Sequence, residues 1–241
     1  MYNEWFYLTE AVWNNAFSYE KRNNKKLYIP SLINAKIDDI LLQNDKEKIA
    51  FEDFGFDDKL STNYWLKNFY KIKWKNKDIY LFDNHNHAYF FWYLARKEWI
   101  IWDNNILIHI DEHADTRDND KHLLKPDSFD LDKVFGFTNK VLNVGDYIIP
   151  AQEEGIIWDI VQIRNETNLN DYLENKDKYR DNIILNLDLD FFQPDIDYID
   201  FDLKKKVVLD AAKNAKIITV ATSPFFINQE LAVKVFKDIF S

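Results

Sequence analysis

Short apolar runs recur from residue 78 onward. Residues 79–82, 106–110, 156–163, 183–187 and 217–220 are rich in Ile, Leu and Val and have the length of buried parallel strands. Helical patterns lie between several of them. Residues 88–99 and 203–215 fit that role, and Asn228 is placed to cap a last helix through Leu231, Val235 and Phe240. Strands alternating with helices predict an α/β fold, a three-layer αβα sandwich around a mainly parallel sheet. Before a soft boundary near Lys75 the pattern is weaker, with a helix expected over residues 10–19 and a short strand over 26–29. No repeat or Pro/Gly/Ser-rich linker divides the chain, so residues 1–241 read as one domain, with 1–75 an N-terminal elaboration.

The first, second and fourth runs lead directly into Asp83, Asp111 and Asp188. Ligands of open α/β sheets bind beyond the carboxyl ends of the strands, so these acids are expected on one rim. At the second strand end, alternate side chains of an extended segment bring Asp111, His113 and Asp115 to one side. Asp188 and Asp190 end a run too apolar to lie at the surface, and buried like charges would protonate unless a cation balanced them. After Asp83, either His85 or His87 can supply an imidazole. His109 reads as a satisfied core histidine and His122 as a surface one.

Composition narrows the chemistry. Hydrophobic residues make up 46% of the 241 residues and charged ones 30%, so the chain folds as a packed globule. There is no Cys, which excludes disulfides, thiolate nucleophiles and Cys-based zinc sites. Four Gly cannot build a Walker loop or a dinucleotide fingerprint. The formal charge of -10 disfavours nucleic acid and favours a cationic ligand or a metal. Neither a secretion signal nor a membrane-length apolar run is evident, so no membrane partner and a cytoplasmic location are expected. Metal donors must then be His and carboxylate. Four carboxylates and two imidazoles exceed what one zinc ion takes and suit two divalent ions, manganese ahead of zinc.

These segments resemble the ureohydrolase (arginase and agmatinase) superfamily, whose fold is shared with metal-dependent deacetylases. Asp111-Glu112-His113-Ala114-Asp115 is similar to its Asp-Ala-His-x-Asp strand end. Asp188-Leu189-Asp190-Phe191-Phe192-Gln193-Pro194 is similar to its Asp-x-Asp-x-x-Asp-Pro segment. Residues 83–88 take the place of the upstream Gly-Gly-Asp-His-Ser, with His85 the better match. Within the superfamily the chain looks closest to the branch that includes peptide arginases, through the aromatic helix after His85, residues 143–155, the Asp-Leu-Asp-Phe-Phe stretch and residues 219–226.

The resemblance implies two Mn2+ ions, one held by His85, Asp111, Asp115 and Asp188 and the other by Asp111, His113, Asp188 and Asp190, with Asp111 and Asp188 bridging. It implies hydrolysis of an arginine guanidino group to ornithine and urea by solvent activated between the ions, on an arginine-containing precursor peptide or a small guanidino substrate. Asp115 would relay the proton, and His87 is kept as an auxiliary residue. The departures are the missing double Gly, Gln193 in place of the third Asp, Arg117 where arginases use Asn, and no match to the Glu that grips guanidinium. Glu153 or Glu154 is the expected substitute. A zinc amide hydrolase of deacetylase type and a non-catalytic metal-stabilised binding protein are the alternatives.

Overall fold

The computed structural model describes residues 1–55, 57–64, 66–124 and 127–241. In chain order the strands and helices are β1 (Phe6–Leu8), β2 (Leu27–Ile29), β3 (Leu32–Ala35), β4 (Ile49–Phe54), β5 (Leu60–Tyr64), β6 (Phe69–Trp74), β7 (Lys77–Phe82), α1 (His87–Lys97), β8 (Asn105–Ile110), α2 (Leu131–Lys140), α3 (Ile148–Glu153), β9 (Ile157–Ile163), α4 (Glu166–Asn175), β10 (Ile183–Asp188), α5 (Phe201–Asn214), β11 (Ala215–Ala221) and α6 (Gln229–Phe240). Seven strands form the central sheet in the order β3-β6-β7-β11-β10-β8-β9. All neighbouring pairs are parallel except the β6–β7 hairpin.

The period-two alternation of the strands splits the core into two layers. On β7, Tyr80 and Phe82 pack into the cluster built with α1, α2 and α3, whereas Ile79 and Leu81 pack into the one built with α4, α5 and α6. β10 divides in the same way, with Ile183, Leu185 and Leu187 on the second side and Ile184 on the first. Helices therefore cover both faces, which is the three-layer α/β sandwich that the run spacing predicts. The predicted cap of the last helix is present. Asn228 accepts the Leu231 N–H at 3.1 Å, and Asp200 does the same for Leu203 at 2.8 Å, starting α5 two residues earlier than the pattern suggests.

One expectation needs correction. Residues 10–19 form short 3-10 turns, Trp13–Ala16 and Tyr19–Lys21, and no α-helix. The buried Asn15 amide donates to the carbonyls of Leu8, Glu10 and Lys25, so its side chain ties the segment after β1 to the segment before β2 in place of a helical turn. The soft boundary near Lys75 is the tight turn of the β6–β7 hairpin, in which Lys75 takes a φ of 53°. Strands β3 and β6 precede it and lie in the same sheet as the later ones.

Candidate metal centre

Strand register sets the rim level. Leu187 pairs with Ile110, Asp188 with Ala221, and Ala221 with Phe82, so Asp111 and Asp188 emerge side by side at the carboxyl end and Asp83 emerges near the same level across β11. Each strand end then turns differently. After β7 the chain enters α1 through i→i+3 bonds from His87, Ala88 and Tyr89, which swings His85 across the mouths of β8 and β10. After β8, Asp115 adopts a φ of 51°, a left-handed conformation that Asp tolerates better than most residues. That bend aims its carboxylate back at His85. After β10, Asp188 Oδ1 accepts the Asp190 N–H at 2.9 Å and starts a 3-10 turn that carries Asp190 to His113.

The result gathers all six predicted ligands. His85 Nδ1 lies 3.0 Å from Asp111 Oδ2, 3.2 Å from Asp115 Oδ2 and 3.1 Å from Asp188 Oδ2. His113 Nδ1 lies 2.9 Å from Asp190 Oδ2 and 3.5 Å from Asp111 Oδ1. Asp111 thus turns one oxygen to each group, whereas Asp188 offers Oδ2 to His85 and spends Oδ1 on the backbone. Ser223 Oγ, from the segment after β11, donates to Asp188 Oδ2. His85, Asp111, Asp188 and Asp190 are buried, and His113 faces a cleft with its side chain 42% exposed.

This donor set fits a metal. Neighbouring ligands on an octahedral ion with bonds of ~2.1 Å sit about 3 Å apart, the spacing seen around His85. His85 Nδ1 and Nε2, His109 Nε2 and Asp111 Oδ2 are buried without a hydrogen-bond partner, a costly arrangement that a cation would relieve. The groups His85/His109/Asp111 and Asp111/His113/Asp190 can each hold a metal ion.

Protonation reflects the crowding. Burial opposes charge on His85, but Asp188, Asp111 and Asp115 outweigh it and hold its pKa well above the usual imidazole range. Hydrogen bonds to Asp111 and Asp190 push His113 up to about 11. Burial, then repulsion from Asp111, pushes Asp115 up to about 7, and burial with repulsion from Asp188 holds Asp190 well above the usual carboxylate range. Asp111 shows the opposite outcome: burial opposes its charge, yet His113 and His85 keep it ionised.

His109 belongs to this neighbourhood, contrary to its reading as a core histidine alone. Its Nε2 lies 3.4 Å from Asp111 Oδ2, and its Nδ1 lies 3.0 Å from the Asn186 amide nitrogen. Asn186 in turn reaches Tyr147 at 2.8 Å and Thr219 Oγ1 at 2.8 Å, and Thr219 accepts from Trp92 Nε1. With Nδ1 occupied by the Asn186 amide, Nε2 is the ring nitrogen turned to Asp111 and the cluster. The sequence signal for this is the alternation itself: His109 on β8 and Asp111 just past its end are two apart, as Asn186 and Asp188 are on β10.

Three other candidates lie elsewhere. His87 is buried between Tyr2, whose hydroxyl is 2.5 Å from Nδ1, and Asp83, 3.3 Å from Nε2, and it is walled by Trp13 and Phe69. It packs the N-terminal segment onto α1 and does not reach the cluster. Glu154 is buried, accepting from Tyr89 Oη at 2.6 Å and from the Leu123 N–H, and burial pushes its carboxyl up to about 7. Glu153 pairs with His122 at 2.9 Å near the surface. Neither acid lines the cleft above the cluster.

The position of His87 gives a prediction. Burial lowers its pKa to about 3, so it folds neutral, and the stability this confers is complete above about pH 6.5 and falls as pH drops toward 3. His87→Gln is expected to lose about 1–3 kcal/mol at pH 7 through unsatisfied partners, to shed up to about 1.4 kcal/mol per pH unit of acid sensitivity, and to keep its metal content. Chemical denaturation at pH 7 and pH 5 with metal analysis checks this; loss of metal without loss of stability would return His87 to the site.

No protein-family model matches the chain, and no curated protein matches it. Among the described residues no helix is long and apolar enough to cross a membrane.

Proposed function

We propose that the chain is a binuclear, manganese-preferring hydrolase that cleaves the guanidino group of an arginine, with peptidyl arginine the preferred substrate, to ornithine and urea. One observation carries the reading: six His and Asp side chains from the ends of three strands of one sheet converge so that Asp111 addresses His85 with one oxygen and His113 with the other. Oxygen-rich donors of this kind favour manganese over zinc. Two such ions would supply a hydroxide equivalent near neutral pH and orient it for attack.

The remaining work falls to the chain. A cavity of about 360 Å³ opens over His85, Asp115 and Asp188, and a second of about 730 Å³ adjoins it across His113 and Phe226. Their shared wall of His113 and Phe226 leaves room beside the cluster for more than a single side chain, which suits a peptide. With Glu153 and Glu154 turned elsewhere, the carboxylate placed to hold the guanidinium is Glu112, which lines the larger cavity beside His113. Its Oε2 accepts from Gln193 Nε2 at 2.6 Å, which fixes its direction. Gln193, the departure from the third Asp of the resembling motif, therefore acquires a task. Asp115 takes the proton from the attacking water and passes it to the leaving amine as the C–N bond breaks.

The test is mass spectrometry of an Arg-containing peptide incubated with manganese-loaded protein, alongside a urea assay. A loss of about 42 Da per arginine with equimolar urea is expected. A deacetylated product from an acyl-lysine peptide, with no urea from any guanidino compound, would favour the amide-hydrolase alternative. Glu112→Gln is expected to raise KM by about 10–100-fold, the worth of a charged hydrogen bond.

A further inference from the structure

Strand β5 keeps one edge free. It pairs with β4 alone, from Phe54↔Leu60 to Ile49↔Tyr64, and among the described residues its backbone has no hydrogen bond outside that ladder. The phase of the ladder fixes which groups are free. The Gly55 N–H donates to the Lys59 carbonyl at 2.9 Å, and bonded and non-bonded pairs alternate from there, so Ser61 and Asn63 bond β4 while Leu60 and Thr62 turn their N–H and C=O groups away from it. Exposed sheet edges invite another strand and are usually guarded by charge or Pro. Leu60-Ser61-Thr62-Asn63-Tyr64 has neither guard.

This edge opens into a groove that starts at the metal cluster. Leu60 and Ser61 line the cavity of about 730 Å³ that contains Glu112 and His113, and the next three residues of β5 line a further cavity of about 360 Å³. Phe225 and Phe226 belong to both, and the far cavity continues along residues 224–229. One wall is therefore β5 and the other is the segment after β11. Successive strand residues send their side chains to opposite faces, so a groove lined by five in a row runs along the backbone edge. The side-chain bonds agree: Thr62 Oγ1 donates to Glu52 Oε1 at 2.7 Å on one face, and Asn63 Nδ2 donates to Ser61 Oγ at 3.1 Å on the other. In the far cavity the polar side chains include the amides of Gln43, Asn63, Asn228 and Gln229, and no Lys, Arg, Asp or Glu lines it. Amides match a peptide main chain and select no charge. A second copy offering a sheet edge would need room for its own next strand about 4.8 Å farther on, on the side that residues 224–229 close. A single extended chain needs none.

We propose that β5 captures the substrate peptide as an added strand, bonded through its main chain to Leu60 and Thr62, with its arginine carried past Leu60 to His113 and the cluster. This rests on the peptide-hydrolase reading and adds how the peptide is held. It gives the β4–β5 part of the N-terminal elaboration a task. Strand residues advance about 3.4 Å each, so the contacts cover about four to six peptide residues on one side of the arginine.

The test is an N-methyl scan. A labelled peptide of Thr and Val, about eleven residues long, carries citrulline in place of a central arginine to prevent turnover, and its binding to manganese-loaded protein is read by fluorescence anisotropy. Each peptide N–H is methylated in turn. Affinity losses of about 3–10-fold at every second residue, confined to one side of the centre, are expected. A flat profile overturns the added strand. On the protein side, Thr62→Pro deletes an outward N–H at an edge that tolerates Pro, and should weaken binding about tenfold. Thr62→Val loses the same hydrogen bond to Glu52 but keeps the N–H, so equal losses in the two variants also overturn the proposal. Metal content of each variant reports an intact cluster. Urea release from the matching arginine peptide separates the two readings: an alternating profile without urea upholds the added strand although the reaction assignment fails, and urea with a flat profile does the reverse. A peptide that does not bind, or a dimer in sedimentation that Thr62→Pro dissociates, rejects the capture of peptide at this edge.

Discussion

Asp111→Asn is expected to strip the cluster of metal and abolish hydrolysis with little change in shape. The substitution is isosteric and removes one charge, but that charge is shared: Oδ2 faces His85 and Oδ1 faces His113, so both groups lose a ligand at once. Removing even an outer hydrogen-bond partner of a ligand costs about 10–100-fold in metal affinity, so loss of a bridging carboxylate should exceed about 100-fold. Asp83→Asn is the matched control. Asp83 is equally buried and stands at another strand end of the same rim, but its carboxylate faces His87 and the Asn84 backbone. Metal retained in Asp83→Asn and lost in Asp111→Asn, read by metal analysis on both purified proteins, is the predicted pattern. Equal retention would contradict the bridging role.

The second large effect is a change of stability and proton content on metal loading. Without metal the cluster neutralises itself with protons, since carboxylates hold His85 and His113 in their charged forms and Asp115 and Asp190 resist ionisation. Those protons must leave when ions bind, so loading in weak buffer should acidify the medium, and affinity should rise by about tenfold per pH unit for each proton displaced. At a metal concentration about a thousandfold above Kd the stabilisation is about 4 kcal/mol. For a chain of this length that corresponds to a rise in Tm of about 8–16 °C. The sign with pH follows from His113, whose folded pKa lies above its unfolded one. Its contribution to the metal-free protein is complete below about pH 6.5 and declines as pH climbs toward 11, while metal affinity moves the other way. The gap in Tm between loaded and metal-free protein should therefore widen from pH 6 to pH 8. A gap that narrows, or none, would contradict proton displacement at these residues.

Much of this was legible in the sequence because one pattern carries two messages. The runs at 79–82, 106–110, 183–187 and 217–220 are buried on both faces, and such strands cannot be mistaken for half-exposed ones. Where the first three stop, a carboxylate follows, and parallel register then brings these carboxylates to one rim. What was less legible depends on side chains from distant segments. The amide of Asn15 overrides a helical pattern by tying up three carbonyls. His87 sits at a plausible ligand spacing, yet entry into α1 turns it away from His85 and into a pocket closed by Tyr2, a residue 85 positions earlier. Helix α4 buries only Leu169 and Tyr172, too few to print a period. Glu153 and Glu154 were sought as guanidinium ligands because of their charge, but Tyr89 and His122 already engage them.

The measurement that tests the central claim most directly is the metal stoichiometry of the purified protein after dialysis against manganese, paired with the same measurement on Asp111→Asn and on Arg117→Gln. Two ions per chain in the unaltered protein and in Arg117→Gln, with both lost in Asp111→Asn, is the expected result. Protein that retains no manganese, or an Asp111→Asn variant that retains the full complement, would contradict it.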